Sequence, residues 1–307
     1  MKGPAGRSGG AHRMGRLVQR LRRLHWLDWA ILVLIALFFG YIWFQIDGAL
    51  KYKWRWEIIP QYLLRYDEEA GRWATGILMQ GLVNTVRISV LAGVLALAFG
   101  TILGMARVAR NLTIRMLART YLEFLRNIPA VVVIFIFYFF LSEQLIAAFK
   151  IEAWARGIAR GENAWIWEIF FGDMRRFPSL VSGIVVLALF ESAFVGEIVR
   201  AGIQSIPRGQ REAAQSIGMT WADEMRFVVL PQAMKKVVPP LANEFIALVK
   251  NSAIVSLISV HDLTYKTVEL VSSTRAIFEA WITTAILYGG LCLALSLLFR
   301  HQEGPGR

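Results

Sequence analysis

Cysteine is almost absent: Cys292 is the only one in 307 residues, which excludes an intrachain disulfide and a zinc site built on cysteine ligands. Charge is sparse too. Asp, Glu, Lys and Arg make up 18% of the chain and hydrophobic residues 56%, whereas soluble domains carry about 25% and about 45–50%. That balance argues against a soluble enzyme. Nowhere does a Gly-Lys dipeptide occur, so the Gly-x-x-x-x-Gly-Lys loop that cradles nucleotide phosphates is missing. Acids are the scarcer sign, leaving a net charge of +12. Such a surplus fits either nucleic acid or the cytoplasmic side of a membrane protein. Its distribution decides, because long uncharged stretches alternate with short arginine-rich loops. That is a membrane pattern, and no nucleic-acid partner is expected.

Crossing roughly 30 Å of hydrocarbon takes about 20 mostly apolar residues in a helix. Six stretches qualify, at about 26–46, 85–106, 121–145, 177–200, 237–260 and 276–299. Lys2, Arg7, Arg13, Arg16, Arg20, Arg22 and Arg23 precede the first without an acid, and Arg107, Arg110, Arg115 and Arg119 follow the second. Both regions are expected inside, and an even number of spans then puts both termini in the cytoplasm. The first stretch reads as a retained span, being longer than a signal-peptide core and lacking an Ala-x-Ala cleavage site after it. Gly93, Gly100 and Gly104 on the second span offer close helix contact. The segments 47–72 and 150–178 mix both charge signs with tryptophan and are expected outside, the latter with a helix lying at the membrane interface. Met1–Gly15, rich in Gly and Arg, is expected to be disordered.

Between the fourth and fifth spans, Pro207 suits the first turn of a helix, Arg208 to Ile217 is helix-forming, and Gly218 is placed to end it left-handed. Thr220 resembles an N-cap, with Asp223 where a capping box wants an acid. A second short helix is expected up to Leu230, with Pro231 interrupting it. Two short helices joined by a glycine turn make a rigid knob that can fit a cleft on another protein.

The same residues spell Glu212-Ala213-Ala214, then Gly218, then Val228, then Leu230-Pro231. This resembles the coupling signature of the permease subunits of bacterial ABC importers, with Val228 standing in for isoleucine. Within that superfamily the chain is similar to the polar amino-acid branch, whose members take up histidine, glutamate, glutamine, arginine or opines. The likeness rests on Gly81-Leu-Val-Asn-Thr-Val-Arg-Ile-Ser, Tyr121-Leu-Glu-Phe-Leu-Arg-Asn-Ile-Pro, Glu197-Ile-Val-Arg-Ala-Gly-Ile-Gln-Ser-Ile-Pro-Arg-Gly-Gln, and Leu230-Pro-Gln-Ala through Asn243 to Ser252. It implies an all-α membrane protein, a type I importer transmembrane domain over residues 76–300. An additional helix and external loop over 26–75, a basic tail over 1–25 and a short tail over 301–307 complete the chain. The implied partners are a homologous or identical second permease, two ATP-binding cassette subunits and a periplasmic amino-acid-binding protein. ATP and magnesium then belong to the ATPase, with no catalytic residue, cofactor or metal in this chain. Glu212, Ala213, Ala214, Gly218, Leu230 and Pro231 are the implied coupling residues, the helix from Glu212 sitting in a groove of the ATPase.

An ionisable side chain inside a span costs about 2.5–3.5 kcal/mol on insertion scales, so it is paired or lines a wet path. Glu191 and Glu197 fall on the fourth span, Glu244 and Lys250 on the fifth. At about 1.5 Å per residue, Glu191 and Lys250 both lie near mid-membrane. They can hold the ammonium and carboxylate of a zwitterion, or they can simply neutralise each other. Ser192, Phe194 and Asn251 are further candidates for the substrate path. Glu197 has Arg200 at i+3 and reads as a structural pair. His261 and Asp262 adjoin each other at an outer helix end, but no nucleophile accompanies them. A secondary transporter or channel would show an inverted repeat, paired broken helices or a carbonyl filter, none of which is legible.

Overall fold

The computed structural model describes residues 26–49, 52–68 and 71–302 and divides the chain between Trp54 and Arg55 into two compact units. The smaller unit contains α1 (Trp26–Ala49), 24 residues long, or about 36 Å. Its apolar side chains are exposed all round, Leu34, Phe39 and Phe44 among them, as a helix surrounded by lipid requires. The basic stretch Lys2–Arg23, the tail beyond Gln302 and the expectation for Met1–Gly15 lie outside the described residues.

The larger unit opens with α2 (Ile59–Leu63) and a hairpin of β1 (Leu64–Asp67) and β2 (Arg72–Thr75), antiparallel with Leu64 opposite Thr75. Ile59 is buried with Leu78, Leu263, Leu270 and Ala280. Residues 55–75, grouped by sequence with the first span, therefore pack as part of the bundle. Then come α3 (Ile77–Ala106), α4 (Leu112–Asn127), α5 (Ala130–Phe137), α6 (Glu143–Ala148), α7 (Ile151–Ala159), α8 (Ala164–Phe171) and α9 (Phe177–Gln204). The chain continues through α10 (Arg208–Ser216), α11 (Trp221–Asp223), α12 (Leu230–Asn251), α13 (Leu263–Thr274) and α14 (Ile277–Gln302). Six helical segments among the described residues are long and apolar enough to cross a membrane, at the six places the hydropathy marks.

α9 is the axis of the bundle, buried along most of its length. It lies against α3 through glycine: a Cβ on Gly104 would stand 2.7 Å from the Gly196 carbonyl and 2.7 Å from the Val199 Cβ. Lipid offers no hydrophobic driving force between helices, so close backbone packing of this kind must hold them. Gly100 makes the same approach to Val195, and Gly93 leaves room for Phe245 of α12.

The second and fifth crossings start earlier than the sequence expectation, at Ile77 and Trp221, and two further boundaries differ for a local reason. The third span does not begin at Tyr121, because α4 ends at Asn127 and Ile128 is extended (φ −106°, ψ 140°). A residue before proline is pushed out of the helical region, here by Pro129. The crossing is 130–148, made of α5, a π-helical turn at Tyr138–Ser142 and α6. Nor does Pro231 interrupt a helix. A π-helical turn at Glu224–Val229 leads straight into α12, with Pro231 in its first turn. A proline ring clashes with the carbonyl four residues back, and the wider turn relieves that clash.

At the end of the bundle opposite the arginine-rich loop, the first turns of α3 gather the connecting segments. Asn84 donates to the His261 carbonyl at 3.0 Å, and the Leu263 N–H donates to the Thr85 hydroxyl at 3.0 Å. Arg87 donates to Asn84 at 2.9 Å and to the Glu168 and Ile169 carbonyls at 3.1 and 2.8 Å. The stretch Gly81–Ser89 thus ties α8 and α13 to one helix, and Gly81 lets the Leu263 backbone come close.

Candidate coupling surface and membrane-buried polar site

The knob forms as its residues dictate. Pro207 (φ −55°, ψ 139°) precedes α10, and Gly218 takes φ +82° after it, a left-handed conformation that costs other residues roughly 1–2 kcal/mol. The Gly218 and Met219 N–H groups close the helix end on the Gln215 and Ala214 carbonyls at 2.9 and 3.2 Å. Thr220 caps α11: its hydroxyl accepts from the Asp223 N–H at 3.3 Å and donates to the Asp223 carboxylate at 2.5 Å.

Three contacts fix α10 to the π-helical turn. Ala214 is buried, Gln215 donates to Glu224 at 3.0 Å, and Arg211 stands 3.8 Å from Glu224. Glu224 is itself buried, so its two partners satisfy a charge that would be costly alone. Sequence reasoning passed over Glu224. Its one signal was an acid one turn ahead of the apolar run Phe227–Leu230. Glu212, Ala213 and Gly218 are left exposed, beside Ile217 at 75% exposure. Leu230 is half-buried and Pro231 exposed where the turn joins α12. The knob is therefore rigid on its inner side and open on its outer one.

Within the bundle, Glu191 is fully buried between α9 and α12. Asn251 donates to its Oε1 at 2.9 Å, while Oε2 has no hydrogen-bond partner. Glu244 faces the same carboxyl from α12. Of the two readings of Glu191 with Lys250, mutual neutralisation does not form: Lys250 is exposed. Adjacent helical residues point about 100° apart, so turning Asn251 toward α9 turns Lys250 away. Ser192 donates to the Leu189 carbonyl at 2.7 Å and meets the Tyr121 hydroxyl at 3.3 Å. Phe194 packs on Phe190, ring centroids 5.2 Å apart, with Arg126 over its ring at 5.9 Å. Of the five path candidates the fold joins Glu191 to Asn251, turns Ser192 and Phe194 toward α4, and leaves Lys250 exposed.

Glu197 is a hub. Arg200 bonds it at 2.5 Å as the i+3 spacing predicts, and Arg126 and Arg107 add ion pairs at 3.7 and 4.0 Å. Those two come from α4 and the end of α3, which no helical spacing reveals. At the other end, Asp262 caps α13 by accepting the Tyr265 N–H at 2.8 Å and also accepts the Tyr288 hydroxyl at 3.0 Å. Burial pushes its carboxyl up to about 6. His261 packs at a tilt on Tyr265, ring centroids 4.2 Å apart, and burial, then the nearby Arg176 and Lys266, hold its imidazole below the usual range. This pair is a helix cap with an aromatic neighbour packed beside it.

A transmembrane helical bundle with a rigid, exposed two-helix knob at its arginine-rich end defines a transporter permease of the type I ABC importer fold. The chain belongs to the family described as binding-protein-dependent transport system inner membrane component, whose profile matches residues 96–304, and it is a multi-pass membrane protein. The probable glutamine ABC transporter permease GlnM of Bacillus subtilis is 36% identical over 229 residues, 73% of this chain and 91% of that one. The glutamate/aspartate import permease GltJ of Escherichia coli K12 is 30% identical over 236 residues, 75% and 89% of the two chains. Among solved structures, an amino acid ABC transporter crystallised with histidines is 32% identical with a TM-score of 0.59, over 74% of this chain and 92% of that one. The inward-facing MetNI methionine transporter, 18% identical with a TM-score of 0.51, shares the fold.

Proposed function

We propose that this permease moves a polar amino acid across the bacterial inner membrane, receiving it from a periplasmic binding protein and drawing energy from a separate ATPase. The assembly would pair the chain with a second permease, homologous or identical, and with two ATP-binding cassette subunits that hold ATP and magnesium. The carrying observation is the knob: Glu212, Ala213 and Gly218 are exposed on a short helix whose other side is pinned through Ala214 and Glu224. A rigid body of that kind transmits a push from a partner without absorbing it. The names of the relatives, glutamine and glutamate/aspartate permeases, support the amino-acid class. Glu191, with one carboxylate oxygen unpartnered and Asn251 on the other, heads the path candidates as the group that receives the substrate ammonium, followed by Ser192, Phe194 and Lys250.

In the assembled importer reconstituted in vesicles, Glu212→Lys and Gly218→Glu should leave the permease inserted while lowering both ATPase co-purification and uptake. Unchanged uptake in both variants would remove the knob from coupling. We place the knob and both termini in the cytoplasm on the arginine distribution. In a Cys292→Ser background, single cysteines at Asn111 and Gly209 should resist an impermeant thiol reagent added outside, and one at Gly161 should react. The reverse pattern would invert the orientation.

A further inference from the structure

We propose that α8 is a membrane-surface anchor, seating one apolar face in the interfacial layer of the bilayer while α7 beside it stays in water. Around α8, successive residues turn by about 100°, so Trp165, Ile169, Ile166 and Phe170 occupy one continuous sector of about 140°. All four are exposed, Trp165 to 62% and Phe170 to 64%. No charged residue falls in that sector, the one acid of the helix, Glu168, lying outside it.

The rest of α8 is held firmly. Trp167 packs edge-on against Trp154 of α7 at 5.2 Å and stacks on Phe171 at 5.8 Å, and Phe171 meets Phe177 at the start of α9 at 5.3 Å. Arg87 reaches across from α3 to the Glu168 and Ile169 carbonyls, a cation at a helix C-terminus where it is most favourable. The apolar sector is therefore presented in a fixed orientation by a scaffold that spends two aromatic residues and an arginine on it.

Lipid is the occupant that the surroundings favour. α7 and α8 are neighbours with different outer surfaces: beside Trp154, α7 exposes the Glu152–Arg156 pair, 3.6 Å apart, where α8 exposes Trp165, Ile166, Ile169 and Phe170. A helix pair split in this way fits a boundary between water and hydrocarbon, and tryptophan is enriched at that depth. The crossing segment that leads towards α7 carries exposed Phe139 and Phe140, and Phe149 is exposed just before α7, so apolar side chains recur on the approach to α7, among exposed Glu143 and Lys150. Arg160 and Arg175, close in sequence on either side of α8, are exposed and can meet lipid phosphates. The leaflet, the outer one, follows from the orientation proposed above; the anchoring does not depend on it.

The test is site-directed spin labelling of the assembled importer, in a Cys292→Ser background, in vesicles of phosphatidylethanolamine and phosphatidylglycerol. Labels at Ile166 and Ile169 should collide several-fold more with oxygen than with a water-soluble nickel chelate, while a label at Arg156 should show the reverse. Water-like collisions at Ile166 and Ile169 would overturn the proposal. So would protection from both reagents, which marks a protein on this face, the binding protein or the second permease. With the unlabelled chain, brominated phospholipid should quench tryptophan fluorescence less in Trp165→Phe than in the parent, and equal quenching would count against the anchor.

Discussion

Glu191 and Glu197 sit six residues apart on α9 and live in opposite electrostatic worlds. Glu197 is ringed by Arg200, Arg126 and Arg107. Glu191 is fully buried, takes one hydrogen bond from a neutral amide and faces a second carboxyl, Glu244. The first carboxylate has partners in excess, as a group does when its role is to hold elements together. The second is under-partnered, which is costly inside a membrane; in the proposed function the substrate ammonium supplies the missing cation. One helix thus carries a structural clasp near its arginine-rich end and an open valence near its middle.

The largest effect should come from breaking the clasp. Glu197→Gln leaves three arginines facing one another, and removing one partner of a buried pair costs about 3–5 kcal/mol. Because the carboxylate here is 23% exposed, solvent reduces the loss to about 2 kcal/mol. A lower melting temperature in nanodiscs reads it, and an unchanged one would demote the hub to an incidental cluster.

Asp262 extends the comparison to the far end of the bundle, where a carboxylate is held by a backbone N–H and a phenol. Its folded-state value of about 6 lies above the ordinary 3.8. The folded chain therefore keeps a proton that the unfolded chain releases, so stability is fully present below about pH 4 and is lost as pH rises through about 6. Asp262→Asn keeps an equally good cap and should flatten that dependence, by about 1–2 kcal/mol between pH 4 and 7. A pH profile of melting that is identical in parent and variant would show that Asp262 does not titrate there.

The smallest change in stability belongs to the open valence. Glu191→Gln keeps an oxygen for Asn251 and replaces a carboxyl that is costly to bury, so stability should hold or rise slightly while uptake falls. The double change Glu191→Gln with Lys250→Met sharpens this further. Recovered transport would show that the two residues only balance each other, against the exposed position of Lys250.

Periodicity and charge made all six crossings legible, because a lipid-facing helix writes its length as an uncharged run. The knob was equally legible: Pro207, Gly218 and Thr220 act through their own backbone constraints, which need no tertiary partner. Sequence also set Glu197 with Arg200, since i+3 neighbours on a helix must meet. That Glu191 and Lys250 lie on two different crossing helices was readable, but facing was not.

What the chain order of residues determined by itself, then, was every feature governed by local geometry: the six crossings, the arginine asymmetry, the glycine turn, the cap at Thr220. The tertiary structure alone decided which face each buried group presents. Asn251 rather than Lys250 turns to Glu191, Arg107 and Arg126 arrive at Glu197 from other helices, Glu224 closes the knob from behind, and Gly81–Ser89 gathers the far end. Each of these depends on the relative rotation of packed helices. A difference of one residue swings a side chain by about 100°, and only the close contacts of α9 with α3 and α12 fix that rotation.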